Sequence, residues 1–197
     1  MRPIIVFATA NENKVSEVRR LLDGLFEVKS LVDIGCTEDI PETALTLEGN
    51  AKQKADYVKV KYGFDCFADD TGLEVQALDG APGVFTARFG GPQKDAMQNM
   101  NHLLDELNSA GALERKDRKA QFKTAIHLIV NGDEIALEGI CMGEIAKKLS
   151  GTEGFGYDPI FIPEGESRTF SEMNSDEKNA ISHRGRAIRK MIEYLGA

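Results

Sequence analysis

The chain has 197 residues and a formal net charge of −8 at pH 7, and hydrophobic residues make up 42% of it. A chain of this length can bury roughly 70% of the surface that it exposes when unfolded, so it needs no disulfide or zinc ion to fold. The acidic balance argues against a polymeric nucleic acid as partner, because phosphate-backbone binding requires a broad basic face. A small anionic ligand stays compatible with it, since charges beyond about 8 Å are screened.

The cysteines and the apolar segments predict a cytoplasmic protein. Cys36, Cys66 and Cys141 lie far apart and form no CxxC pair, a pattern typical of reduced thiols. The first residues lead directly into a strand-like segment, so no signal peptide is expected. No apolar stretch approaches the ~20 residues that a membrane helix needs, so no membrane partner is expected either.

In chain order, the predicted elements mix strands and helices without strict alternation. A strand over 3–8 is followed by a helix capped by Asn11, a strand over 26–32 and a helix over 47–62. Short strands over 64–68 and 73–77 precede a shaped loop over 80–91 and a helix whose core stripe starts at Met97. A hairpin of strands 119–130 and 134–145, a strand over 159–162 and a C-terminal helix complete the chain. This order predicts an α/β fold with a mixed sheet and flanking helices.

The adjacent pair Asp69-Asp70 is the strongest chemical signal in the chain. It follows the short apolar run 64–68, and Gly72 is expected to end that strand. Two acids at this place cannot both ionise cheaply without a compensating cation. Oxygen ligands suit Mg²⁺. Two interpretations stay open: a metal site, or one aspartate that caps a turn beside another that is solvated.

A strand-to-helix loop from Ala8 to Lys14 is the second candidate. A helix N-terminus attracts phosphate, and a lysine in the first turn is unfavourable unless it serves an anion. A capped turn with a solvated lysine is the alternative. Glu42 and Lys54 are weak candidates for site residues individually and become stronger ones only as partners of the aspartate pair.

Two later segments also carry candidate ligand contacts. Phe155 stands between two glycines, which suits stacking on a flat base, although the ring could instead plug the core. Lys178, His183 and Arg184 can converge only if the C-terminal helix breaks near Ser182. Cations at a helix start oppose the macrodipole, which favours a function over a solvated face.

Two other families that use acids with metals do not fit the spacing. The haloacid dehalogenase motif needs aspartates two residues apart, and the pair here is consecutive. A receiver domain would place its acids near the first strand, which here ends in Ala8-Thr9.

Five segments in order resemble the inosine/xanthosine triphosphate pyrophosphatase family. They are Thr9-Ala10-Asn11 with Lys14, Ala68-Asp69-Asp70-Thr71-Gly72-Leu73, Gly80-Ala81-Pro82-Gly83 with Ala87-Arg88, Gly154-Phe155-Gly156-Tyr157-Asp158-Pro159-Ile160-Phe161, and Lys178-Asn179-Ala180-Ile181-Ser182-His183-Arg184-Gly185. The resemblance implies a single domain over 1–197, an elongated mixed α/β sheet with two lobes around a nucleotide-binding cleft, and a homodimer. It also implies Mg²⁺-dependent hydrolysis of ITP, dITP and XTP to the monophosphate and pyrophosphate.

The same resemblance implies residue roles. Asp70 would be the catalytic base, and Asp70, Glu42 and Asp69 would hold the metal. The implied substrate-binding residues are Thr9, Ala10, Asn11, Glu12, Asn13, Lys14, Lys54, Thr71, Phe155, Gly156, Tyr157, Asp158, Lys178, His183 and Arg184. Ala10 stands where the family commonly has glycine, and Thr71 where serine is more usual. Neither change removes a charged group.

Two alternatives accompany this interpretation. The first is a related pyrophosphatase that acts on modified pyrimidine triphosphates. The second is a nucleotide-sensing protein that binds without turnover.

Overall fold

A computed structural model describes residues 2–196 and has a mixed α/β fold, as predicted. The strands are β1 Ile4–Phe7, β2 Glu27–Lys29, β3 Cys66–Val75, β4 Pro82–Gly83, β5 Lys119–Val130, β6 Asp133–Ile145 and β7 Phe161–Pro163. The α-helices are α1 Glu12–Leu21, α2 Leu47–Tyr62, α3 Ala96–Ser109, α4 Ser175–Ile181 and α5 His183–Leu195. Within the described residues, no helix has the length and apolar character that a membrane span requires.

The strands form one sheet in the order β2-β1-β3-β5-β6-β7, and β4 pairs with β3. β1 runs parallel to both β2 and β3. α1 and α2 supply the crossovers that parallel neighbours need. The pairs β3–β4 and β6–β7 are antiparallel, so the sheet is mixed.

The chain divides into two compact units, each built from separate segments. The first unit comprises the chain up to Asp70, Thr124–Gly139 and the chain from Arg184 onward. The second comprises Thr71–Lys123 and Ile140–His183. The single domain over 1–197 stays a prediction.

Each unit has its own aromatic core contact. In the first unit, Phe7 of β1 and Phe67 of β3 stack with ring centroids 4.6 Å apart. In the second, Phe122 of β5 and Phe161 of β7 lie 4.7 Å apart and pack with α3 through Leu103. These buried rings hold in place the strands that carry the candidate site.

The predicted break at Gly72 is wrong, because β3 runs without interruption through both aspartates. Its first part pairs with β1 at Cys66, and its last part pairs with β4 at Leu73. Ladder partners on either side of the glycine therefore carry the strand through a residue that weakens strands locally.

Other predicted elements agree with the structure or shift by a few residues. The strand Lys119–Val130 and the helix Leu47–Tyr62 have the predicted bounds. The break at Ser182 is present, with φ −68° and ψ 158° separating α4 from α5. Met97 is 51% exposed, so the core stripe of α3 begins at Met100 instead. The three cysteines are buried thiols.

Candidate active site

Side chains alternate between the two faces of β3, so the two adjacent aspartates contact different partners. Successive side chains of a strand point to opposite faces. Asp69 is buried, and its Oδ1 and Oδ2 accept hydrogen bonds from Lys14 Nζ at 2.8 Å and Arg184 Nε at 3.1 Å. Asp70 is partly exposed and contacts side chains of α2 instead. Neighbouring residues of one type thus have distinct surroundings.

Asp69 is the centre of a buried chain of charges in the first unit. Arg184 also donates from Nη1 to Glu17 Oε2 at 2.6 Å, so it bridges two carboxylates. Burial by itself raises the pKa of Asp69, but the charges of Lys14, Arg184 and Lys54 outweigh burial and hold that pKa below its usual range. Asp69 is therefore an anion, and its oxygens fix the two cations.

The surroundings of Asp70 have less positive charge. Asn50 Nδ2 donates to Asp70 Oδ2 at 3.0 Å, and Lys54 Nζ lies 3.8 Å from Asp70 Oδ1. The same ammonium is 2.5 Å from Glu42 Oε1. Burial raises the pKa of Asp70, with Lys54 and Lys14 opposing that rise. Burial lowers the pKa of Lys54, yet the charges of Asp70, Asp69 and Glu42 outweigh burial and raise it.

The loop before α1 has the predicted cap. Thr9 Oγ1 accepts from the Asn11 N–H at 3.2 Å, and Asn11 Oδ1 accepts from the N–H groups of Asn13 at 3.1 Å and Lys14 at 3.2 Å. This cap sets the first turn of the helix and so the place from which the Lys14 side chain extends to Asp69. The implied contacts Ala10, Glu12 and Asn13 are exposed here.

An aromatic ring and an ion pair form a separate cluster in the second unit. Phe155 is half-buried, and Lys178 Nζ lies 4.8 Å from its ring centroid. Lys178 also donates to Asp158 Oδ2 at 2.7 Å, and the same oxygen accepts the Phe155 N–H at 2.8 Å. A Cβ at Gly154, where φ is +76°, would lie 2.2 Å from that carboxylate, so the close approach needs a glycine.

Two other predicted contacts have their rings in the core of the second unit. The Tyr157 hydroxyl is buried and donates to the Thr86 carbonyl at 3.0 Å, and burial raises the Tyr157 pKa. The His183 ring stacks on Phe122 with centroids 4.5 Å apart. These packing contacts orient both side chains.

The structure sorts the predicted residues into two groups, and their ligand roles stay predictions. The first unit holds Thr9, Ala10, Asn11, Glu12, Asn13, Lys14, Glu42, Lys54, Asp69, Asp70 and Arg184, and the second holds Thr71, Phe155, Gly156, Tyr157, Asp158, Lys178 and His183.

Sequence reasoning missed Glu17 and Asn50. Glu17 lies three residues after Lys14, and Asn50 four residues before Lys54, so helical spacing could have indicated both.

The fold and these contacts define a mixed α/β protein with a buried carboxylate and cation centre on a sheet strand. Residues 5–194 match the Ham1 family, and the chain belongs to that family. This finding confirms the resemblance stated from the motifs.

Relatives match over nearly the whole length. The chain is 52% identical to the dITP/XTP pyrophosphatase of Flavobacterium johnsoniae, with 98% of each chain covered. It is 42% identical to the dITP/XTP pyrophosphatase of Bacillus subtilis, with 98% of this chain and 96% of that one covered. The structure of a HAM1 protein from Coxiella burnetii matches with a TM-score of 0.87, 36% identity and 98% of each chain covered.

Proposed function

We propose that the protein is a nucleoside triphosphate pyrophosphatase that hydrolyses ITP, dITP and XTP to the monophosphate and pyrophosphate. The arrangement of Asp70, Lys54 and Glu42 is the observation that carries the proposal, since it combines a base, an ammonium and a second carboxylate. The 52% identity to a dITP/XTP pyrophosphatase over 98% of both chains supports the substrate class.

We also propose Mg²⁺ as the cofactor, held by Glu42 and Asp70. Both residues offer the hard oxygen donors that Mg²⁺ prefers, and they already share the positive charge of Lys54. When bound, the ion would neutralise charge on the phosphates. Both oxygens of Asp69 are in ion pairs with Lys14 and Arg184. These contacts support a role for Asp69 in positioning the two cations. Its role as metal ligand stays a prediction.

Asp70 would act as the general base. Its carboxylate takes a proton from the attacking water as the oxygen–phosphorus bond forms at the α-phosphate, and the bond to the β-phosphate breaks to release pyrophosphate. The Asn50 amide donates to Asp70 Oδ2 and orients the carboxylate toward its role as base. Lys14 and Lys54 would bind phosphate oxygens, which suits a reaction that depends on positioning and charge neutralisation.

The cluster around Phe155 would bind the base. The ring offers a stacking face, and Lys178 with Asp158 supplies polar groups beside it. A donor aimed at O6 of a 6-keto purine would be left unpaired by the amino group of adenine. Sites of that kind reject the wrong partner by about 10⁴ or more.

Pyrophosphate release from ITP, dITP, XTP, ATP, GTP and dUTP, each with Mg²⁺ and with EDTA, tests the proposal. We expect metal-dependent release largely confined to ITP, dITP and XTP. Release chiefly from dUTP or modified pyrimidine triphosphates would support the pyrimidine alternative. Binding of ITP with every triphosphate inert would support the nucleotide sensor and overturn the role of Asp70.

The homodimer and the cytoplasmic location stay predictions as well. Light scattering of the purified protein would test the first, since it measures molar mass directly. A mass of one chain, 21.6 kDa, would contradict the dimer.

A further inference from the structure

A group of side chains of the types that can bind a metal ion lies in the first unit, among residues that the proposed reaction does not use. It consists of Asp56 on α2, His127 on β5 and Glu134 on β6. One ligand atom from each residue lies within 4.8 Å of the other two. Helix α2 and the β5–β6 hairpin, which are distant from each other in sequence, thus bring an imidazole and two carboxylates together.

His127 distinguishes this group from an acidic patch, because it adds an imidazole nitrogen to the two carboxylates. The residue is only 8% exposed, yet its Nε2 lies 3.2 Å from Glu134 Oε2. The side chains of Glu134 and Asp56 are 49% and 41% exposed, so solvent reaches the carboxylates. The buried His127 ring therefore offers a nitrogen in a fixed position, and the exposed side chains of Asp56 and Glu134 offer oxygens that can move.

The ammonium group of Lys52 already forms hydrogen bonds with both carboxylates. Lys52 Nζ lies 2.7 Å from Glu134 Oε2 and 3.1 Å from Asp56 Oδ1. Its side chain is 48% exposed and flexible, so it can swing into solvent.

We propose that Asp56, His127 and Glu134 bind a first-row divalent transition metal ion, with Zn²⁺ as the representative, in competition with Lys52. Imidazole together with carboxylates suits Zn²⁺ and its neighbours, whereas Mg²⁺ prefers an all-oxygen shell. Four-coordinate zinc at about 2.1 Å needs ligand atoms about 3.4 Å apart, a contraction that the two exposed carboxylates can make. The ion ties α2 to the hairpin of β5 and β6, and its fourth position is open to water.

Calorimetric titration with Zn²⁺ in saturating Mg²⁺ tests the site, because Mg²⁺ occupies the all-oxygen donors elsewhere. We expect about one equivalent of Zn²⁺ to bind wild type, and H127Q and E134Q to weaken it about 100-fold or more. H102Q and D133N are the matched controls and retain the wild-type affinity. K52M removes the competing ammonium and tightens binding up to about fivefold.

The thermal midpoint gives a second readout, since an ion that binds only the folded state raises it. Zn²⁺ raises the midpoint of wild type and of D133N but not that of E134Q. Glu134 is exposed, so E134Q tests the site even if H127Q fails to fold. The proposal is overturned if wild type binds no Zn²⁺, or if E134Q binds it as tightly as D133N does. The test does not depend on turnover, so it stands apart from the proposed pyrophosphatase activity.

Discussion

At the scale of single residues, Asp70 is the side chain whose replacement tests the proposed chemistry most directly. Asp70→Asn keeps the size of the side chain but removes the negative charge and the basic oxygen. We expect kcat for ITP to fall by about 10²- to 10⁴-fold, the contribution typical of a general base. Nucleotide binding, measured by calorimetry in EDTA so that the proposed Mg²⁺ ligand role of Asp70 does not enter, is expected to stay close to wild type. Near-normal turnover would refute Asp70 as the base.

Asp69→Asn is the matched control for that variant, because it changes the adjacent aspartate in the same way. It leaves Lys14 and Arg184 buried without their shared counter-ion. We expect a loss of about 3–5 kcal/mol in the free energy of unfolding, as for a buried pair with one partner removed. Asp70→Asn is expected to lose much less. Equal losses of stability would contradict the separate surroundings of the two aspartates.

Phe155→Ala tests the proposed binding of the base. The ring is half-buried beneath Lys178, and base stacking on an aromatic ring is worth about 1–3 kcal/mol. We therefore expect KM for ITP to rise about 5- to 150-fold with a smaller change in kcat. Phe64→Ala, at an exposed phenylalanine of the first unit, serves as control. An unchanged KM would rule out stacking as a main source of affinity.

At the scale of elements, two capping boxes in the second unit predict a loss of stability in acid. Glu172 accepts the Thr169 N–H at 2.7 Å, and Glu177 accepts the Asn174 N–H at 2.9 Å. These backbone hydrogen bonds lower the pKa of both glutamates from the ordinary 4.5. The stabilisation is therefore complete above pH 4.5 and is lost as the pH falls through the folded-state pKa values.

The double variant E172Q/E177Q isolates this effect, because glutamine keeps an acceptor oxygen but does not titrate. We expect its thermal midpoint to change less than that of wild type as the pH is lowered from 4.5. E164Q, at an exposed glutamate of the same unit, controls for removal of a charge. The same pH dependence in the double variant and in wild type would argue against the capping boxes as its source.

Local signals explain which elements could be predicted from the sequence. Thr46 caps the start of α2, and Gly63 ends the helix with a φ of +75°. Threonine and glycine are common residues at these two positions, so the sequence indicates both ends of the helix. The turn between β5 and β6 likewise uses positive φ at Asn131 and Gly132. The course of β3 past Gly72 depends on pairing with two other strands, which a local pattern does not contain.

In the candidate site, too, the residue types could be predicted from the sequence, but the contacts between distant residues could not. The types of Lys14, Asp69 and Arg184 indicated an anionic ligand and a metal. Their mutual contacts join residues 55 and 115 positions apart, so only the fold brings them together. The role of Asp69 as a metal ligand comes from the family resemblance and stays a prediction, whereas its two ion pairs become visible only in the fold. The break at Ser182 was predictable because a serine there is a local capping signal.

At the scale of the whole molecule, the connectivity of the two units predicts how the protein unfolds. The chain passes from one unit to the other four times, after Asp70, Lys123, Gly139 and His183. Neither unit is a continuous segment, so neither can complete its fold while the rest of the chain is unfolded. We therefore expect one cooperative transition in scanning calorimetry.

Core truncations in each unit test this expectation. Leu22 in the first unit and Leu103 in the second are both fully buried, so L22A and L103A are each expected to cost about 2–5 kcal/mol of unfolding free energy. In a cooperative molecule, either substitution lowers the midpoint of the whole transition, and probes in both units report the same value. Two transitions, with L22A lowering one and L103A the other, would contradict the prediction of a single domain over 1–197 and make each unit its own folding domain.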